Sequence, residues 1–75
     1  MRVRIGIGQD PEAILRDVFS KYLTRSRLST TATARQGAAL DVTYNISLRQ
    51  EELCVPLVTE LNGMNGIQEV ELRQS

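Results

Sequence analysis

Apolar and polar positions change rhythm five times along this chain, and each rhythm predicts an element. Val3, Ile5 and Ile7 alternate with Arg2, Arg4 and Gly6, the period-two signature of a half-buried strand. Gly8 ends it. From Asp10 to Tyr22 the period becomes helical. Ile14, Leu15, Val18, Phe19, Tyr22 and Leu23 form one stripe, with Arg16, Asp17, Ser20 and Lys21 outside it. Asp10 suits the N-cap, Pro11 the first helical position, and Glu12 the positive end of the helix dipole. Leu28 to Ala34 reads as a strand whose propensity comes from Thr30, Thr31 and Thr33 rather than from bulk. Gln36-Gly37 supplies a turn.

The clearest alternation follows. Ala38, Leu40, Val42, Tyr44, Ile46 and Leu48 face one way, and Asp41, Thr43, Asn45, Ser47 and Arg49 the other, which predicts a central strand. Between Glu51 and Leu61, Leu53, Leu57 and Leu61 fall four apart and predict a second helix. Pro56 conflicts with an uninterrupted helix there, so its start is expected to be late or distorted. Asn62-Gly63 and Asn65-Gly66 are stop and turn signals. Val70 and Leu72 then point inward from a last strand spanning Gln68 to Arg73.

This order is β-α-β-β-α-β, which predicts an α+β, ferredoxin-like fold: a four-stranded antiparallel sheet with two helices on one face. The expected strand order is 4-1-3-2. Arg2 and Arg4 would then lie across from Glu69, Glu71 and Asp41 on the open face. The second strand would be an edge. Between Leu28 and Ala34 it carries no charge and no proline, so the usual protection against edge pairing is missing. A contact with a second copy or a parent protein is therefore expected at Ser29, Thr31 and Thr33.

The length of 75 residues bounds the chain to one domain over 1–75. A domain of this size buries only about 60% of its unfolded surface, so a partner would help stabilise it. Nine basic and nine acidic residues cancel, which argues against bulk electrostatic binding to nucleic acid or a membrane surface. No apolar run approaches the roughly 18 residues needed to span a bilayer, and no leader pattern opens the chain. A start at a strand is what a domain excised from a longer protein would show.

Candidate chemistry is sparse. There is no histidine, the commonest general base and metal ligand. The one cysteine, Cys54, reads as a small apolar filler of the second helix. The strands that would stack RNA bases present Arg2, Arg4, Asp41, Thr43 and Asn45, with no aromatic among them. No Cys-x-x-Cys loop is present for a heavy metal. Gly6-Ile7-Gly8-Gln9-Asp10 lacks the third glycine of a dinucleotide fingerprint and places an acid where a phosphate would sit. No catalytic residue and no cofactor is expected.

Two resemblances add to this reading. Val3 to Leu23, with Asp10-Pro11 opening a helix after a strand, resembles the start of an ACT domain. ACT domains are small regulatory modules that often bind amino acids near the first loop. That likeness implies Gly8, Gln9 and Asp10 as ligand-binding positions. ACT domains usually carry glycine after the proline, where this chain has Glu12. A wider resemblance rests on Phe19 to Leu48 and on the closing run from Leu61 to Leu72. These are similar to the soluble, ACT-like C-terminal domain of bacterial inner-membrane proteins of unknown function, and more distantly to the cytoplasmic tail of the MgtC/SapB family. The resemblance implies a non-catalytic regulatory or oligomerisation module on the cytoplasmic side of the inner membrane, not itself inserted. Its partners would be a second copy or the parent membrane protein. The other expectation is a free-standing domain that senses a small molecule such as an amino acid.

Overall fold

The computed structural model describes residues 1–73. Strand β1 (Arg2–Gly6) leads into helix α1 (Pro11–Tyr22), strand β2 (Leu23–Ala34) and strand β3 (Ala39–Leu48). Helix α2 (Cys54–Asn62) and strand β4 (Ile67–Glu71) complete the fold. The sheet order is β2-β3-β1-β4 with every neighbour antiparallel, so the fold is the expected ferredoxin-like one.

Each element follows from local chemistry. The Asp10 side chain accepts from the Glu12 backbone N–H at 3.1 Å, which caps α1, and Pro11 occupies its first turn. Pro56 is the third residue of α2, where no intrahelical donor is required, so the proline sets the start of the helix instead of kinking it. A 3₁₀ turn over Glu51–Leu53 precedes it. Val3 and Ile5 of β1, Val42 and Tyr44 of β3, Leu15 and Val18 of α1, and Leu57 and Leu61 of α2 form one buried core. Alternation leaves Arg2, Arg4, Asp41, Glu69 and Glu71 on the other, open face, in register with one another.

Four expectations are corrected. Strand β1 ends at Gly6, and Ile7 is 55% exposed in the following turn rather than inward. Its backbone N–H still bonds the Ala38 carbonyl at 3.1 Å. Ala38 is exposed in the hairpin connection, and the buried alanine is Ala39, which pairs with Gly6 and Ala34. Strand β4 runs from Ile67 to Glu71, so Leu72 packs against the core from beyond the strand. Strand β2 begins at Leu23, directly after α1, five residues earlier than the Thr-rich run predicts. It includes Arg25 and Arg27, so this edge does carry charge in its first half.

Candidate functional site

Two features remain once the core is accounted for: the outer edge of β2, and a groove where that strand leaves α1. Strand β2 pairs with β3 on one side only. From Thr24 to Thr33 every residue is exposed. Two register shifts interrupt it, leaving Thr24 and Ser29 as extra residues without a partner across the ladder. The bulges decide which side chains share a face. Arg25 and Arg27 stand opposite Ser47 and Asn45 on the open face. Leu28 stands opposite Tyr44, on the helix side, and is 51% exposed. Neither arginine has an acidic partner among the described residues.

The groove has a volume of about 440 Å³. Leu15, Phe19, Leu28 and Tyr44 line it with apolar surface, and Glu12 and Arg16 add charge, one helical turn apart on α1. Phe19 meets Tyr44 edge to face, with ring centroids 5.0 Å apart. Burial pushes the pKa of the Tyr44 phenol above its ordinary value, and Glu12 and Asp10 add to that. The ring is therefore a neutral wall at physiological pH.

Two clusters of polar groups are engaged in holding the fold. Arg4 grips Asp41 through Nε to Oδ1 at 2.8 Å and Nη2 to Oδ2 at 3.2 Å. Arg2 reaches Asp41, Glu69 and Glu71 at 3.3, 3.3 and 3.4 Å. Arg4 Nη1 also lies 3.1 Å from Glu69. The Arg4 guanidinium, seconded by Arg2, holds the Asp41 carboxyl below the usual carboxylate range. Between the helices, Lys21 Nζ and the Tyr22 hydroxyl both donate to Glu60 Oε1, at 3.0 and 2.8 Å. Lys21 foremost, then Tyr22, lowers the Glu60 carboxyl. Among the described residues, no group of three or more His, Cys, Asp or Glu is placed to hold a metal, and no helix is long and apolar enough to cross a membrane.

Family models, curated proteins and solved structures were each searched for likeness to this chain, and none matches.

The first-loop residues Gly8, Gln9 and Asp10 lie together and exposed. Asp10 is engaged as the helix cap, and the Gln9 side chain packs where a Cβ on Gly66 would meet it at 3.4 Å. None of the three lines the groove. Of the predicted edge residues, Ser29 is the bulge, while Thr31 and Thr33 are exposed opposite Val42 and Leu40. Sequence reasoning missed Arg25 and Arg27 as edge residues, and placed Leu28 on the edge strand without counting it among the contacts. The signal was present as alternation from Arg25 to Leu28, hidden between the two bulges.

Proposed function

We propose that this domain is a non-catalytic contact module, a regulatory or oligomerisation appendage of a bacterial inner-membrane protein on its cytoplasmic side. The observation that carries the contact role is the β2 edge: twelve residues long, exposed from Thr24 to Thr33, and hydrogen-bonded on one side only. An uncovered edge of that length is a template for another strand. The membrane setting rests on the resemblance of the Phe19–Leu48 and Leu61–Leu72 segments alone. Two experiments test the proposal. Sedimentation equilibrium over rising concentration is expected to show a mass above that of the monomer, and a constant monomer mass contradicts self-association. The genomic reading frame upstream of Met1 is expected to encode hydrophobic helices, and a stop codon immediately before it contradicts the appendage.

The groove supports a second reading, a domain that senses an amino acid. Glu12 offers a partner to an ammonium group, Arg16 to a carboxylate, and the Phe19–Tyr44 wall to a side chain. A ligand that binds only the folded state raises its apparent stability, so a thermal-shift series with the amino acids tests it. No shift at millimolar ligand contradicts it.

A further inference from the structure

The occupant of the β2 edge can be narrowed, given the contact reading above. Three antiparallel steps separate β2 from β4, so these two edge strands run in opposite directions. A second copy placed beside the first in the same orientation brings its β4 antiparallel to β2, with both pairs of helices on one side of a continuous sheet. We propose that the β2 edge of one copy takes the β4 edge of the next, head to tail.

Face and charge fix the register. Glu69 and Glu71 lie on the open face at a spacing of two, as Arg25 and Arg27 do. Both carboxylates are about half exposed, at 49% and 45%, although Arg2 and Arg4 touch them and Arg73 lies 3.0 Å from Glu71. Setting Arg25 opposite Glu71 and Arg27 opposite Glu69 makes two cross-strand pairs of opposite charge. The extra residue of β4, Gln68, then brings Ile67 opposite Leu28 on the helix side, and covers the exposed leucine. A shift by two residues instead sets Arg25 against Arg73, whose side chain is 88% exposed. Charge thus selects one register.

Pairing β2 with the β2 of a second copy does worse. Centred on Ser26, it opposes Arg25 with Arg27 of the other copy, and like charges directly opposite are destabilising. Confined to Thr30–Ala34 it avoids that clash, yet leaves Leu28 uncovered and makes no charge pair. A head-to-tail contact leaves one edge free at each end, so it propagates beyond a dimer.

Sedimentation velocity on three samples tests this: the native chain, the variant Arg25→Glu/Arg27→Glu, and their mixture. The native chain is expected to form species larger than dimers, in proportions that fall as salt rises. The double variant is expected to bind roughly ten- to hundredfold more weakly, since each pair turns from attraction to repulsion. It keeps a native β4 edge, so adding it to the native chain caps growth and shortens the species. Leu28→Ser is expected to weaken assembly while nearly keeping the melting temperature of the dilute monomer, and Thr31→Lys/Thr33→Lys to leave assembly nearly unchanged. Circular dichroism checks that each variant is folded. Assembly that stops at dimers overturns the head-to-tail contact, and assembly that Thr31→Lys/Thr33→Lys abolishes while Arg25→Glu/Arg27→Glu does not overturns the register but keeps β2 as the contact edge. A native chain that is monomeric at every concentration overturns both.

Discussion

On one side of the sheet, β4 is five residues long and is tied to β1 by arginine–carboxylate pairs; on the other, β2 is twelve residues long and nearly all exposed. Both are edge strands. Their difference separates what holds this fold from what the fold can offer. Near β1, every position has a local task. Val3 and Ile5 lie in the core, and Arg2 and Arg4 hold three acids on the other face. Along β2, Leu23 alone is buried, and the rest of the strand is surface. A domain this small has little core to give away, so an edge of that length is itself a considerable share of its surface.

The contrast can be broken most forcefully in the core. Leu57→Ala and Ile5→Ala, at fully buried sites, are each expected to cost about 3 kcal/mol in denaturant unfolding. Leu28→Ser should cost far less, about 1 kcal/mol or below, because Leu28 is already half exposed. If Leu28→Ser costs as much as Leu57→Ala, the β2 edge is part of the core and the division fails. Next in size is the open face. Asp41→Ala removes the acceptor that both Arg2 and Arg4 share and is expected to cost about 2 kcal/mol, whereas Arg25→Ala should fall within about 0.5 kcal/mol of the native chain.

The pH dependence sharpens the same point. Asp41 and Glu60 both titrate below their ordinary values of 3.8 and 4.5, chiefly because of Arg4 and Lys21 respectively. A carboxyl with a depressed folded value contributes stability that is complete above its unfolded value and is lost as pH falls through the folded one. Unfolding free energy should therefore drop on acidification below about pH 5. The drop should be shallower in Asp41→Asn. An identical acid slope in that variant would show that the open-face pairs do not stabilise the fold.

A smaller change than those of the core and the open face is expected at the hairpin tip. Arg35, Gln36 and Gly37 all have positive φ, at 52°, 56° and 90°. Only the glycine adopts that region without strain. Gln36→Gly should stabilise by about 0.5–1 kcal/mol, read as a raised denaturation midpoint, and Gly37→Ala should destabilise by a similar amount.

What the sequence revealed follows the same division. Where burial dictates a period, as in Val3–Ile5, the α1 stripe and Leu57–Leu61, element type and facing were readable, and with them the strand order. The Arg2–Asp41–Glu69 register followed from that order. Where no burial operates, periodicity is silent. The first half of β2 has no apolar face to display, and its two bulges break the alternation that remains. Ile7 misled for the opposite reason: it continues the pattern of β1, but the chain turns at Gly8, with φ of 90°, and leaves it outside. The predicted first-loop site turns on a similar ambiguity. Asp10 suits both a ligand contact and a helix cap, and the cap is what the fold engages.

Amide hydrogen exchange resolved by residue tests the division most directly. In dilute solution the amides of β1, β3 and α2 should exchange only through global unfolding, while the outward amides of β2 exchange freely. Raising the protein concentration should protect those outward amides, and the outer amides of β4 with them. Protection of β2 equal to that of β1 in dilute solution, or no gain at high concentration, would contradict the claim that β2 is a surface held open for a partner.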